Sequence, residues 1–285
     1  MLSIVQVPGV NPELVCYVTN SHRSFFMISD CKIISHEVIS RDYRKIRFHA
    51  PDICRAAKPG QFVHVQIPSL SDRILRRPFS ICDMEDDVLT IVYKIVGIGT
   101  ARLADAVPGM MCSIMGPLGT FFPEPEDGKI PVLIDGGYGA AATLPIARRW
   151  KQKGILLLGA RTQDDVLLTE EYKACGYDVR VATQDGSVGT KGLVTELIPG
   201  AIADTNGKCV FYSCGPNGML MAVGKLSLEQ NVECYLTLDH QMCCGVGACF
   251  ACVVKVKSDS SPDGWRYSRS CCEGPVYPAK EVWYA

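Results

Sequence analysis

The sequence predicts a multi-domain protein of the β plus α/β class: an antiparallel β-barrel, a parallel α/β sheet and a small C-terminal domain. Three observations predict this order. Short β-type segments separated by proline and glycine fill residues 31–125, and apolar strands alternate with helical segments over 126–239. Six of the 15 cysteines then lie close together within residues 240–285.

Length and composition describe an ordinary soluble protein in a reducing compartment. The 285 residues suffice for two or three domains, and 47% hydrophobic with 21% charged residues can build real cores. The net charge of −1 gives no reason to expect a nucleic acid or an anionic membrane as partner. No apolar run approaches about 18 residues, no secretory signal stands out, and the other cysteines are scattered singly. We therefore expect a cytoplasmic protein.

Residues 1–30 show no sustained hydrophobic period. Pro8, Gly9 and Pro12 interrupt the apolar pieces, and a strand is expected only near Leu14–Val18. This segment is interpreted as an extension peripheral to the main fold, and no function is assigned to it.

The segment 31–125 predicts a barrel or sandwich of short strands. Each run is rich in β-branched residues and is bounded by breaks such as Pro51, Pro59-Gly60 and Pro68. The predicted strands are Lys32–Ile39, Lys45–His49, Phe62–Ile67, Ser80–Asp83, Val88–Ile95 and Met111–Met115, with a helix over Thr100–Ala106.

Two pieces of this segment suggest ligand chemistry. In Arg76-Arg77-Pro78-Phe79-Ser80, a guanidinium near a hydroxyl suits a phosphate and a flat ring, while a solvated basic pair before an edge strand is the alternative. In Gly97-Ile-Gly99-Thr100, glycines before a helix suit a pyrophosphate, while a plain turn capped by Thr100 is the alternative. Both alternatives stay open from the residues alone.

From residue 126 to 239, apolar runs alternate with helical segments, which predicts a Rossmann-like parallel sheet with right-handed crossovers. The predicted strands are Ile130–Ile134, Gly154–Leu158, Asp178–Thr183, Cys209–Ser213 and Glu233–Leu238. The predicted helices are Ala140–Lys151, Asp164–Ala174, Gly192–Ile198 and Asn217–Gln230.

Three strand ends of that sheet carry glycine-containing turns, and such sheets bind ligands at the carboxyl ends of their strands. They are Asp135-Gly136-Gly137-Tyr138-Gly139, Gly159-Ala-Arg161 and Cys214-Gly215-Pro216-Asn217. The first suits a dinucleotide pyrophosphate, although it is not a full G-x-G-x-x-G match. Ordinary tight turns are the alternative for each.

The C-terminal cysteines have the spacing Cys244-x4-Cys249-x2-Cys252, followed by a fourth thiol at Cys271 or Cys272. This is the plant-type arrangement for a [2Fe-2S] cluster, and Gly245 and Gly247 allow the loop to curl around it. A four-thiolate zinc site is the alternative, although such sites usually contain two short Cys pairs. Disulfides would require an oxidising compartment.

Taken together, these motifs resemble the ferredoxin–NADP reductase superfamily, through Arg77-Pro-Phe-Ser80, Gly97-x-Gly99-Thr100, the Gly136–Gly139 turn and Cys214-Gly-Pro-x-x-Met219. Adding the Cys244–Cys252 motif and Cys271-x-x-Gly274-Pro-Val makes the chain similar to the electron-transfer subunits of type B dihydroorotate dehydrogenases. The resemblance covers about residues 31–285.

The resemblance implies a role for each matched residue. Those that would hold FAD are Arg77, Pro78, Phe79, Ser80, Val92, Tyr93, Lys94, Gly99 and Thr100. Those that would hold NAD are Gly136, Gly137, Gly139, Arg161, Gly215 and Pro216, and Cys214 is a candidate catalytic residue near the nicotinamide. The implied cluster ligands are Cys244, Cys249, Cys252 and Cys271, because the family pattern places its last ligand three residues before Gly-Pro-Val. A structural thiol is the alternative for Cys214.

The resemblance also implies a function. Electrons would pass between NAD(H), FAD, a [2Fe-2S] cluster and an FMN-containing dihydroorotate dehydrogenase catalytic subunit, in a heterotetramer with two copies of each chain, for pyrimidine biosynthesis. A ferredoxin or a sulfide dehydrogenase is an alternative redox partner. The alternative of another class is a zinc-stabilised, non-redox nucleotide-binding protein.

Two positions depart from the family pattern. Asp135 stands where a third glycine is usual, and Ala141-Ala142 replaces a proline. A carboxylate beside a pyrophosphate would repel it unless the carboxylate points at a ribose hydroxyl.

Overall fold

A computed structural model describes residues 3–4, 16–19, 22–68, 75–238 and 241–284 of the chain. The first strands, β1 (Ser3–Ile4), β2 (Cys16–Thr19) and β3 (His22–Phe25), form a small antiparallel sheet. The predicted strand over Leu14–Val18 lies outside the described residues at its first two positions, and β2 covers the rest. Among the described residues, no helix is long and apolar enough to cross a membrane.

A seven-stranded antiparallel sheet follows and curls into a half-barrel. Its strands run in the order β7-β6-β10-β4-β5-β9-β8, which leaves β7 and β8 at the edges. The strands are β4 (Met27–Ser40), β5 (Tyr43–His49), β6 (Phe62–Val65), β7 (Arg77–Ser80), β8 (Asp83–Glu85), β9 (Val88–Lys94) and β10 (Met111–Leu118). Two short helices, α1 (Pro51–Ala56) and α2 (Ile98–Ala104), lie between them.

The half-barrel confirms the predicted antiparallel architecture, with one strand placed differently. The sequence predicts one strand over Ser80–Asp83, whereas the structure has two: β7 ends at Ser80 and β8 begins at Asp83. Pro78 is tolerated inside β7 because an edge strand can lose one ladder hydrogen bond without leaving a neighbour unpaired.

The second large sheet confirms the predicted Rossmann-like domain. Its strands β14-β13-β12-β11-β15-β16 are neighbours in that order and pair in parallel. They are β11 (Ile130–Gly136), β12 (Ile155–Ala160), β13 (Asp178–Thr183), β14 (Thr190–Lys191), β15 (Cys209–Cys214) and β16 (Glu233–Thr237). The helices are α3 (Ala140–Arg149), α4 (Thr169–Ala174), α5 (Ile198–Asp204) and α6 (Asn217–Glu229).

Two predicted helices differ from the observed ones. The helix predicted over Asp164–Ala174 is split into a 3₁₀ turn at Gln163–Asp165 and α4, because Leu168 lies in the left-handed region with φ of 63°. The helix predicted over Gly192–Ile198 is a 3₁₀ turn at Val194–Leu197, and the α-helix α5 begins only at Ile198. Pro199 is compatible with this start, since the first helical turn needs no N–H from it.

The C-terminal residues form little regular structure before the chain returns to the α/β sheet. The strands β17 (Val253–Lys257) and β18 (Trp265–Arg269) form an antiparallel hairpin. The last strand, β19 (Val276–Pro278), pairs antiparallel with β16 at the edge of the parallel sheet. Residues 241–252 contain neither helix nor strand.

Two apolar clusters join the three regions. One packs Tyr43 and Val92 of the half-barrel against Leu133 and Tyr212 of the parallel sheet. The other packs half-barrel residues against the cysteine-containing segment: Phe26, Phe62, Met115 and Leu118 contact Met242, Cys252 and Cys271. The predicted site residues from all three regions are therefore held close to these contacts.

Candidate functional site

The two candidate phosphate-binding segments of the half-barrel lie side by side. A Cβ added to Gly99 would lie 2.9 Å from Nε of Arg77, so only a glycine lets the guanidinium come this close to the start of α2. Thr100 caps that helix: its hydroxyl accepts hydrogen bonds from the amides of Val96 (2.9 Å) and Gly97 (3.1 Å). A cation beside a glycine turn fits a phosphate group.

The rest of the predicted flavin segment lines a narrow cavity of about 80 Å³. Pro78, Phe79 and Ser80 of β7 form one wall, and the ring of Phe79 contacts that of Tyr93 edge-on at 5.6 Å between centroids. The other two regions also line this cavity. The parallel-sheet region contributes Ala142, Cys214 and Thr237, and the C-terminal region contributes Met242 and Pro275. The predicted flavin residues and the candidate catalytic Cys214 thus face one space.

The three predicted residues of β9 are placed differently from one another. Val92 and Tyr93 are almost fully buried, in the inter-sheet cluster and in the half-barrel core respectively. They can face a ligand chiefly through their backbone. Lys94 points across to the parallel-sheet region, where its ammonium lies 2.9 Å from Oδ1 of Asp165.

Asp165 collects three hydrogen bonds that join the two large sheets. It accepts from the hydroxyl of Tyr43 at 2.7 Å, from Lys94, and from Nε of Arg161 at 3.0 Å. Burial alone would raise the pKa of Asp165, but these three hydrogen bonds hold it below its ordinary value. A predicted FAD residue and a predicted NAD residue therefore share one carboxylate, in a cavity of about 390 Å³.

The glycine turn (residues 136–139) and the turn after β15 pack backbone against backbone. An added Cβ would overlap the carbonyl oxygen of Cys214 at Gly139, and at Gly136 it would lie 2.6 Å from Cδ of Pro216. Gly139, Cys214, Gly215 and Pro216 line a cavity of about 560 Å³ at the carboxyl ends of β11 and β15. The structure brings these predicted dinucleotide residues together, whereas Arg161 lines the separate 390 Å³ cavity.

Asp135 corrects an expectation from the sequence. Its carboxylate is fully buried beneath the glycine turn, accepting hydrogen bonds from the Thr143 hydroxyl and, at 3.1 Å, from the amide of Cys214. The Thr143 hydroxyl lies 2.7 Å from that of Tyr172. The carboxylate is closed off from the surface at which a dinucleotide would lie, and burial raises its pKa to about 7.

The cysteine loop (residues 243–252) has the geometry that sulfur ligation needs. Gly245 and Gly247 have φ of 72° and 75°, a region that residues with a Cβ rarely adopt. The amide of Gly247 donates to Sγ of Cys271 at 3.2 Å, and the amide of Cys271 donates to Sγ of Cys252 at 3.4 Å. Backbone amides thus already point at thiol sulfurs.

The predicted ligands fall into two groups. Cys249 hydrogen-bonds to the amide of Ala251 and to Cys244, which lowers the pKa of Cys249 to about 7, whereas Cys252 lies against Cys271. In the part of the chain that the structure describes, no three His, Cys, Asp or Glu side chains surround a single metal position. Two pairs of thiols suit a two-iron cluster, in which each iron takes two protein ligands, better than one zinc ion.

Sequence reasoning missed three features of the site. Asp165 followed Arg161 by four residues, which could have suggested an ion pair, but its contact with Lys94 depends on the packing of the two sheets. His64 and Met242 gave no usable signal. His64 alternates with Val63 and Val65 in β6, and burial lowers its pKa to about 4, helped by the positive charge of Arg76.

Comparison with known proteins agrees with this geometry. Residues 28–142 match the model of an FAD-binding domain, and residues 239–283 match that of the "iron-sulfur cluster binding domain of dihydroorotate dehydrogenase B". A solved structure of an NADH-dependent reduced ferredoxin-NADP oxidoreductase superposes with a TM-score of 0.77 at 27% identity, covering 89% of this chain and 90% of that one. The chain is an oxidoreductase with an FAD-binding half-barrel, a nucleotide-type α/β sheet and an iron–sulfur domain.

Curated relatives define the family more narrowly. The electron transfer subunits of dihydroorotate dehydrogenase B (NAD(+)) from Bacillus cereus (strain B4264) and Geobacillus sp. (strain WCH70) are 37% and 35% identical over 257 residues. Each alignment covers 88% of this chain and 96% of the relative. The chain belongs to this family of electron transfer subunits.

Proposed function

We propose that this chain carries electrons between NAD(H) and a catalytic dihydroorotate dehydrogenase subunit, by way of FAD in the half-barrel and a [2Fe-2S] cluster in the cysteine loop. The chemistry that the two groups supply when bound is the conversion of two-electron exchange with a nicotinamide into single-electron transfers. The protein residues would bind and orient these groups.

One observation carries the proposal: residues from all three regions line the 80 Å³ cavity. Phe79 comes from the half-barrel, Cys214 from the parallel sheet, and Met242 from the segment beside the cysteine loop. Cys214 also lines the 560 Å³ cavity, so only this one residue would separate a dinucleotide bound there from the flavin residues. Close approach of the three sites is the geometry that sequential electron transfer requires.

On the flavin side, Arg77 beside Gly99 would neutralise the pyrophosphate, and Pro78, Phe79 and Ser80 would contact the ring and its side chain. Val92 and Tyr93 would contribute backbone groups and support, since their side chains are buried. Lys94 would stay on Asp165 and fix the position of the neighbouring sheet. Thr100 would hold the helix start in the shape that a phosphate needs.

On the nucleotide side, Gly136, Gly137 and Gly139 would let a dinucleotide approach the backbone, while Gly215 and Pro216 shape the nicotinamide end. Cys214 would stand between nicotinamide and flavin as a positioning group. Arg161 donates from Nε to Asp165, and because its side chain is 70% exposed its other N–H groups would be available to a phosphate at the rim of the sheet.

On the cluster side, Cys244 and Cys249 would hold one iron, and Cys252 and Cys271 the other. Gly247 supports Cys271 rather than Cys272 as the fourth ligand, because its amide already donates to the Cys271 sulfur. Cys249 and Phe250 are exposed, and the guanidinium of Arg269 lies 5.2 Å from the Phe250 ring centroid. Electrons would leave the cluster for another protein at this exposed end of the loop.

The test is anaerobic purification with analysis of iron, sulfide and zinc, followed by Cys249→Ser. The wild-type chain should contain flavin and about equal amounts of iron and sulfide. Cys249→Ser should lose the cluster while NADH still bleaches the flavin, because the two sites are built from different regions. Cys243→Ser is the matched control and should keep both. A colourless protein that contains zinc, or loss of flavin reduction in Cys249→Ser, would contradict the proposal.

The partner and the compartment are part of the same proposal. We expect native purification to recover an FMN-containing catalytic subunit, with two copies of each chain in a heterotetramer, from the cytoplasm. The 14 cysteines whose side chains the structure describes are free thiols, which supports a reducing compartment. Recovery of a ferredoxin or a sulfide dehydrogenase instead would keep the redox chemistry and change the partner.

A further inference from the structure

His64 is buried in an unusual state for a polar side chain. It is 0% exposed, and among the described residues neither Nδ1 nor Nε2 has a hydrogen-bond partner. An unpaired buried polar group costs about 1–3 kcal/mol, so such a group in a native protein calls for a partner. No residue of the half-barrel core supplies one.

The position of His64 indicates where that partner lies. Successive side chains of a strand point to opposite faces, and Val63 and Val65 face the half-barrel core. His64 therefore shares the outer face with Phe62, whose ring centroid is 5.6 Å away and which packs against Cys252 and Cys271. This face of β6 is the one that contacts the cysteine loop.

The imidazole also lies directly on the loop. A Cβ added to Gly245 would lie 2.9 Å from Cε1 of His64, 3.1 Å from Nδ1 and 3.2 Å from Nε2. Gly245 is the residue after Cys244, so the ring lies against the backbone next to a candidate cluster ligand. The glycine is thus needed for its backbone angle and also to make room for the imidazole.

We propose that His64 donates a hydrogen bond from its ring to a sulfur atom of the cluster bound by the cysteine loop, and thereby raises the reduction potential of that cluster. The inference rests on the proposed function, because the acceptor is a sulfur that arrives with the cluster or is held by it. A hydrogen bond to sulfur stabilises the more negative, reduced state, so the bond strengthens on reduction.

The first test is a potentiometric titration of the anaerobically purified holoprotein, followed by electron paramagnetic resonance. In His64→Leu, the equilibrium constant for cluster reduction should fall about tenfold, or about 59 mV for a one-electron couple. His64→Gln keeps an N–H donor and should stay closer to wild type. Met115→Leu alters the same apolar cluster without removing a donor and should leave the potential unchanged.

The second test works even if His64→Leu fails to retain the cluster. In wild-type protein labelled with ¹⁵N-histidine, the reduced cluster should show a nitrogen hyperfine coupling. The coupling should persist in His240→Asn, which removes the histidine nearest to the cysteines in sequence, and disappear in His64→Gln.

An unchanged potential in a cluster-containing His64→Leu, or no histidine coupling in the wild-type protein, would overturn the inference while the proposed function stands. Absence of any iron–sulfur signal in wild-type holoprotein would instead overturn the proposed function, and the role of His64 with it.

Discussion

The glycine turn and the cysteine loop both depend on glycine, but for different reasons. In the glycine turn, Gly139 has an ordinary φ of −56° and is needed because the backbone of Cys214 lies against it. In the cysteine loop, Gly245 and Gly247 have left-handed φ values, and their neighbours are the side chains of His64 and Cys272. One segment is fixed by backbone contact, and the other by side chains and thiols.

This difference indicates which site exists before its ligand binds. A fully buried network of Asp135, Thr143 and Tyr172 supports the glycine turn from below. The cysteine loop contains no helix or strand, and its contacts to Cys271 run through sulfur atoms. We infer that the nucleotide side is preformed and that the cysteine loop reaches its final stability only with four ligated thiols.

The largest effect is expected from Gly139→Ala. The new Cβ would overlap the Cys214 carbonyl, and neither backbone can move without disturbing the sheet, so the cost should be about 3 kcal/mol or more. Thermal unfolding should shift downward, and flavin reduction by NADH should slow strongly. Gly218→Ala is the control: it lies in α6 with no atom within 4 Å of an added Cβ, and it should be neutral or slightly stabilising.

The next largest effect is expected from Asp135→Asn, which should change how the free energy of unfolding depends on pH. The pKa of Asp135 is raised from 3.8 to about 7, so between these values the folded state binds a proton that the unfolded state has lost. Stability from this group therefore falls as pH rises from about 4 to about 7. From about pH 5 to pH 8, the wild type should lose about 2–3 kcal/mol relative to Asp135→Asn.

Urea unfolding at several pH values, followed by tryptophan fluorescence, measures this difference. The hydroxyl of Tyr172 does not interfere, because burial raises its pKa well above its ordinary value. If the difference in free energy of unfolding between the two proteins is constant with pH, Asp135 is already ionised in the folded protein. A charged carboxylate would then support the glycine turn.

The sequence predicted the two sheets better than the contacts beneath the turns. Strand and helix alternation depends on local periodicity, which is why β11, β12, β13, β15 and β16 were predicted with small errors at their ends, whereas the two-residue strand β14 was not predicted. The inward direction of Asp135 depends instead on Thr143 in the next helix and on the Cys214 amide, 79 positions away. No local pattern records such a meeting, so the carboxylate was expected to face a ligand.

The cysteine loop also combines a local pattern that the sequence reveals with a distant contact that it does not. Its spacing indicates three candidate ligands, Cys244, Cys249 and Cys252, because plant-type iron–sulfur sites take a fixed cysteine spacing within one short segment. The spacing alone left the fourth open between Cys271 and Cys272. His64, 181 positions before Gly245, came to the loop through the packing of β6 and was not predicted. A residue that acts from another region is visible only once the fold is known.

A smaller effect is expected for Gly245→Ala, which tests whether side chains rather than backbone confine the cysteine loop. The left-handed φ costs about 1–2 kcal/mol for alanine, and the Cβ presses on the His64 ring, so iron content should fall without complete loss. Gly264→Ala is the matched control, with φ of 74° but its nearest neighbour, Trp283, at 3.6 Å. Equal iron content in both variants would exclude a contribution from the His64 contact.

The smallest effect is expected for Asp165→Asn, beside the glycine turn. It weakens hydrogen bonds from Tyr43, Lys94 and Arg161, but the Arg161 side chain is 70% exposed, so the loss should be about 1 kcal/mol. The pKa of Asp165 is lowered in the folded state and has its ordinary value of 3.8 in the unfolded state, so the carboxylate is ionised in both states above about pH 5. This deficit should therefore not vary between about pH 5 and pH 8. Asp164→Asn changes an exposed neighbour and should have no measurable effect on unfolding. A deficit that varied with pH as strongly as that of Asp135→Asn would show that the two carboxylates form one titrating unit, and that the glycine turn is supported from both sides by the same network.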